Sequence, residues 1–164
     1  MFAKNSHCSY CGAPFTPNQP YPRTCTRCGN LTFRNPIPVV VALVPIEDGL
    51  LTVRRAIPPQ IGKLALPGGF VDFLERWEDA AAREVREETG LILLPQDFSL
   101  LKVITAPDGS LLLFCRAAPQ PLSALPPFSP NPEVSERVIL RAAQPLAFPL
   151  HTQLAQDYFA NLHP

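Results

Sequence analysis

Between Gly68 and Leu91 the sequence crowds together carboxylates, among them Glu75, Glu78, Asp79, Glu84, Glu87 and Glu88, in a chain whose 14 Lys and Arg balance its 14 Asp and Glu. On a helix Glu84 and Glu88 stand one turn apart with Glu87 between them in angle. At a step of ~100° per residue, all three fall within about a third of the circumference. Like charges so placed repel, and a helix that only packs gains nothing from them. A divalent cation reverses the sign, because three carboxylates on one face make a hard-oxygen site for Mg2+ or Mn2+. Arg83 and Arg86 offer the other account, a solvated face laced with ion pairs, and helix geometry alone leaves both open. Just upstream, Gly68-Gly69 brings bare backbone to the helix, where a carbonyl can join a ligand set and phosphates can approach without a Cβ.

A second group of chemically able residues lies near the N-terminus. Cys8-x-x-Cys11 and Cys25-x-x-Cys28 are separated by thirteen residues, and Gly12 and Gly29 follow the two pairs. Two such knuckles place four thiolates tetrahedrally around zinc, each glycine letting the backbone turn under the metal. Disulfides are the alternative, but the start MFAKNSHC has no apolar leader core, so reduced thiols in the cytoplasm are expected. Four protein ligands leave no open position, which makes the zinc structural. A ribbon this small has no core of its own, and zinc binding of roughly 10–16 kcal/mol would carry its stability. Cys115 reads as a core residue of an apolar strand and His7 as incidental. Lys4, Arg23, Arg27 and Arg34 are the nearby cations, a thin basis for a nucleic-acid surface.

The elements that must position these groups follow from pattern. Val39–Val44 and Leu50–Arg54 read as strands of a hairpin turning at Glu47-Asp48-Gly49. "KLALPGGFV" is a short strand entering a glycine turn. Trp77 to Thr89 has three alanines and no Gly or Pro, with Gly90 placed to stop a helix. Leu100–Thr105 and Ser110–Ala117 form a second hairpin, Glu136–Leu140 a further strand, and Leu150 to about Leu162 a closing amphipathic helix repeating Leu154, Tyr158 and Leu162. Strands with interspersed helices imply a layered α/β domain over residues 35–164 behind a ribbon over 1–34. The apolar run Ile37 to Ile46 is too short and too Pro-broken to span a bilayer. The 21 prolines punctuate loops and strand ends.

Gly69, five residues, Glu75, seven residues, then Arg83-Glu84-Val85-Arg86-Glu87-Glu88-Thr89-Gly90-Leu91 resembles the Nudix box with every fixed position filled. With "CSYCG…CTRCGNLTFRNPIPVV" and "LLTVRRA", the chain looks like the zinc-ribbon Nudix hydrolases, strongly from Cys8 to Leu91. The resemblance implies a Nudix α/β/α sandwich with a mixed sheet, and Mg2+- or Mn2+-dependent hydrolysis of a nucleoside diphosphate linked to another moiety. It assigns the metal to Glu84, Glu87, Glu88 and the Gly69 carbonyl, and the orienting role to Glu75 and Arg83. It also implies a further loop carboxylate, for which Glu133 is preferred over Glu136. Substrate contacts are expected from Gly68, Gly69, Arg54 and Phe70, with Phe73 and Phe114 as further aromatics for stacking a base.

Two departures bear on substrate. Leu74 stands where such boxes have Gly before the first glutamate. The second array of NADH pyrophosphatases, resembling SQPWPFP, has no counterpart between Leu91 and Pro149, so FAD, ADP-ribose or another dinucleotide-like pyrophosphate fits as well as NAD(H). A nucleotide-sensing module and a hydrolase of capped RNA ends are the competing functions; the intact box counts against the first. Zinc-ribbon relatives point to a homodimer.

Overall fold

The computed structural model describes residues 4–161, and the chain divides into two compact units, Met1–Pro36 and Ile37–Pro164, two residues beyond the expected boundary. The expected helical repeat at Leu162 lies outside the described residues.

In the first unit the two knuckles are built alike. Gly12 N–H donates to Cys8 O (3.0 Å) and Cys8 N–H to Ala13 O (2.8 Å); Gly29 N–H donates to Cys25 O (2.8 Å) and Cys25 N–H to Asn30 O (2.9 Å). Gly12 and Gly29 both sit in the left-handed region, at φ 70° and 74°, where a side chain would be strained. Strands β1 (Arg23–Thr24) and β2 (Leu31–Thr32) pair antiparallel around the second knuckle. The buried interior is Cys8, Ala13 and Cys25, flanked by Cys11 and Phe15.

The second unit runs β3 (Pro38–Leu43), β4 (Pro45–Ile46), β5 (Gly49–Arg55), β6 (Leu64–Ala65), α1 (Trp77–Thr89), β7 (Phe98–Thr105), β8 (Leu111–Ala117), β9 (Val134–Leu140) and α2 (Pro149–Ala160). One sheet has the order β3-β8-β7, with β3 parallel and β7 antiparallel to β8; in the other, β4, β6 and β9 all pair antiparallel to β5. Strand periodicity divides β3 between two cores. Val40 and Ala42 pack with Ala80, Ala81 and Val85 of α1, whereas Val41 and Leu43 pack with Leu154, Ala155 and Tyr158 of α2. This is an α/β/α sandwich, and the burial of β3 on both faces explains its unbroken apolar run VVVAL.

One expected element is only partly realised. The turn at Glu47 joins β5 to the two-residue β4, while the long strand before it leaves for the other sheet and pairs in parallel with β8. The hairpin signal is local and correct, but the run Val39–Val44 belongs to a pairing some seventy residues distant that no turn residue announces. The other expected strands and both helices lie within two residues of their expected bounds.

Candidate active site

Helix α1 carries the carboxylates. Glu78 and Asp79 lie in its first turn and Arg86 in its last, matching the helix dipole, and Gly90 ends it at φ 77° with its N–H on Arg86 O (2.9 Å). Ala80, Ala81 and Val85 bury one face, and the next residues round that face, Glu88 and Thr89, are buried with them. Glu88 is therefore only 8% exposed. Its Oε2 accepts the Gly68 N–H (2.9 Å). Burial pushes its carboxyl up to about 8, against the pull of the Gly68 hydrogen bond and with the charges of Glu84 and Glu133 adding to the rise.

The glycine turn fits this helix because it has no side chains. A Cβ at Gly68, whose φ is 152°, would collide with Val40 O, and one at Gly69 would collide with the Glu84 carboxylate. The Gly69 carbonyl accepts the Val40 N–H (2.9 Å), so one of its two lone-pair directions is committed to β3. Glu84 is raised by burial, offset by Arg83, whose Nη1 lies 2.7 Å from its Oε1, and raised again by the charges of Glu87 and Glu133.

Arg83 is the brace. Its Nε and Nη2 donate to Glu75 Oε1 and Oε2 (both 2.9 Å), a bidentate pair that holds Glu75 below the usual carboxylate range. Nη2 also donates to Phe70 O (2.9 Å), and Nη1 reaches Glu87 Oε2 at 3.4 Å. Glu75 Oε2 accepts the Asp72 N–H (2.9 Å), which ties the loop before α1 to the same guanidinium. Phe70 is exposed, Phe73 projects almost wholly into solvent at 93%, and Phe114 is buried in the α2-side core.

The two candidates for the further carboxylate go separate ways, Glu136 within β9 and Glu133 in the turn before it. Glu136 faces Arg54 in the β5–β9 register and pairs with it at 2.6 Å, and Arg54 Nη1 donates to Gly62 O (2.9 Å). Glu133 instead acts electrostatically on Glu84 and Glu88. The neighbour of Arg54 is the cation whose charge reaches Glu88: Arg55 is held by Pro59 O (2.7 Å) and stacks over Phe148. Three further residues escape any sequence pattern because their partners are far along the chain. His151 Nδ1 accepts the Leu66 N–H (3.2 Å), two residues before the glycine turn, and burial lowers its pKa to about 4. Asn131 and Arg137 reach the C-terminal end of α1.

The donor chemistry of Glu84, Glu87, Glu88 and Glu133 fits a divalent cation: hard oxygens whose charges oppose one another in partly buried surroundings. The four cysteines fit a metal on distance. Their sulfurs lie within 4.8 Å of one another, with Cys8–Cys28 at 3.7 Å and Cys11–Cys25 at 3.6 Å. Sulfurs ~2.3 Å from a tetrahedral zinc would be about 3.8 Å apart. Among the described residues no other set of three ligand-type side chains converges so closely; the glutamates stand wider. None of the five cysteines is in a disulfide, and Cys28 is drawn down to about 6 by its backbone contact with Asn30.

Residues 36–137, well over half the chain, match the NUDIX domain model. The chain belongs to the NUDIX family. An ADP-ribose pyrophosphatase of Methanocaldococcus jannaschii is 41% identical over 76 residues, covering 46% of this chain and 44% of that protein. An NAD-capped RNA hydrolase NudC of Salmonella typhi is 30% identical over 92 residues, covering 56% and 35%. The chain thus spans less than half the length of these curated relatives. A NUDIX hydrolase from Nitrosomonas europaea superposes with a TM-score of 0.74 at 24% identity over 96% of this chain and 92% of that one, a likeness of fold. No helix of the described residues is long and apolar enough to cross a membrane.

Proposed function

We propose that this NUDIX protein hydrolyses the pyrophosphate of a nucleoside diphosphate linked to a second moiety, with ADP-ribose and dinucleotides of that kind as the substrate class, and releases a nucleoside monophosphate. The observation that carries the reading is the seating of Glu88: a buried carboxyl, bonded to a glycine backbone beside the like charges of Glu84 and Glu133, that a bound cation would hold ionised and a proton would otherwise hold neutral. The M. jannaschii relative, named for ADP-ribose, supports the substrate class.

Glu84, Glu87 and Glu88 would hold Mg2+ or Mn2+, which when bound neutralises pyrophosphate charge and activates water. Arg83 and Glu75 fix the direction of that glutamate set, the supporting task metal ligands require. Gly68 and Gly69 would let the phosphates approach, Arg55 would offer them a cation, and Glu133 would take the proton of the attacking water. The four cysteines would hold structural Zn2+. Phe70 and Phe73 are the exposed aromatics beside the site that could stack a base.

Product analysis tests this. The protein with Mg2+ or Mn2+ meets ADP-ribose, NADH, NAD+, FAD, diadenosine polyphosphates and NAD-capped RNA, beside Glu88→Gln. AMP released from ADP-ribose, and lost in the variant, is the expected result. Turnover of capped RNA alone would move the substrate class, and tight binding without turnover would replace the hydrolase by a sensor.

A further inference from the structure

The last turn of a helix leaves carbonyls that no helical N–H can reach. In α1 two of them are taken by side chains from the far end of the chain. Asn131 Nδ2 donates to Glu87 O (2.9 Å), and Arg137 Nη1 donates to Thr89 O (2.6 Å) while its Nη2 donates to Pro126 O (2.6 Å). Arg137 also stacks over Phe128, so the proline-rich segment before β9 is fastened to the helix end.

Asn131 does more than cap. Its Oδ1 accepts the N–H groups of Glu133 (2.9 Å) and Val134 (2.8 Å), and its own N–H donates to Val134 O (2.9 Å), closing the turn that bears Glu133. From the other side, Ala56 N–H donates to Glu133 O (2.7 Å) and stitches the turn to the end of β5. One amide side chain therefore joins the helix carrying Glu84, Glu87 and Glu88 to the turn carrying Glu133. We propose that Asn131 is a positioning residue that fixes Glu133 against the glutamates of α1, so that helix and loop present their carboxylates as one rigid set. The catalytic meaning of this rests on the hydrolase reading above.

A residue that served only as a helix cap would need one donor. The two bonds accepted by Oδ1, from the Glu133 and Val134 N–H groups, bear on the turn and not on the helix end, and they separate the two roles. Asn131→Asp keeps the acceptors, loses the donor to Glu87 O, and sets a negative charge at the negative end of the helix. Asn131→Ala loses both. Arg137 still holds Thr89 in either variant, so the helix end keeps a cap.

The test is a double-mutant cycle on the full chain, with Asn131→Ala, Glu133→Gln and the pair, read as kcat and KM, together with amide hydrogen exchange. Misplacing a reacting group by about 1 Å can cost on the order of 100-fold, so Asn131→Ala should lower kcat by roughly 10–100-fold with KM little changed. Adding it to Glu133→Gln should cost less than about twofold more, since residues acting as one unit are not additive. The Glu133 and Val134 amides should exchange at least about tenfold faster in Asn131→Ala, while α1 keeps its protection. Losses that multiply, or an exchange rate at Glu133 and Val134 that does not change, would overturn the proposal. If the wild type cleaves no pyrophosphate, the hydrolase reading fails by itself and the exchange measurement still decides the placement of Glu133.

Discussion

In the first unit the buried interior is little more than Cys8, Ala13 and Cys25, whereas in the second two clusters of apolar side chains fill the space on either side of β3. Their charge differs as much. Residues 1–36 hold Lys4, Arg23, Arg27 and Arg34 and no Asp or Glu, so every one of the 14 acidic residues lies in the second unit. Both units nevertheless converge groups that are anionic when they bind metal, thiolates in one and carboxylates in the other. On the reading above, the first unit needs its cation in order to fold, because nothing else fills it. The second folds on its packing and needs a cation only to react.

That contrast breaks most visibly on metal removal. If that reading holds, a strong chelator should unfold the first unit, where bound zinc would supply roughly 10–16 kcal/mol in place of a core, and leave the second folded. Loss of amide protection in β1 and β2 with protection kept in β3 and β8 is the expected pattern. Simultaneous loss in both would show that the second unit also depends on metal.

Without divalent cation, Glu88 should erode the second unit from the alkaline side. Its folded-state pKa of about 8 exceeds the ordinary carboxyl value of 4.5, so the unfolded chain sheds this proton first and gains on the native state as pH rises between those values. The loss is at most about 4–5 kcal/mol at 1.36 kcal/mol per unit, is absent below pH 4.5, and should vanish in Glu88→Gln. Urea titrations of both proteins across pH 5–8.5 measure it.

His151 erodes the same unit from the acid side. Its pKa falls from 6.5 to about 4 on folding, so below 6.5 the unfolded chain binds a proton that the native state refuses. Stability should drop by about 3 kcal/mol between pH 6.5 and 4, and His151→Gln should flatten that limb. The first unit, followed by its own amides, should show neither limb.

The smallest effect sharpens the assignment within the second unit. The Arg54–Glu136 pair is half-exposed, and such pairs are worth about 0–1 kcal/mol. Glu136→Gln should leave stability within that range and AMP release almost unchanged, while Glu133→Gln lowers turnover by about 10²–10⁴-fold, the range for a positioned acid–base group.

What could be read from the residues was whatever has a short period. Trp77–Thr89 and its Gly90 stop stand where the alanines, charges and glycine put them, and the cysteine knuckles follow their spacing. The α1 glutamates come to one neighbourhood because helix geometry is the same in every protein. Pairings across the fold were not legible. β3 carries an apolar run that suits a hairpin or a parallel partner equally, and only the arrival of β8 chooses between them. Arg54 and Arg55 are adjacent and alike, yet Glu136 claims the first and leaves the second near Glu88. Arg137 and His151 act on backbone groups dozens of residues away, so no local pattern could flag them; Asn131 closes a local turn, but its bond to Glu87 O is equally distant.

The glycine turn carries a consequence for how such a site can evolve. A side chain at Gly68 collides with the β3 backbone and one at Gly69 with the Glu84 carboxylate, so the first is barred by the strand and the second would displace a carboxylate of the site. The stretch between β8 and β9 is held by backbone bonds of Ala118 and Gln120 as well as by the side chains of Asn131 and Arg137. Under the proposed function, a change in the pyrophosphate accepted would fall on side chains that border the turn without filling it, Phe70 and Phe73 among them.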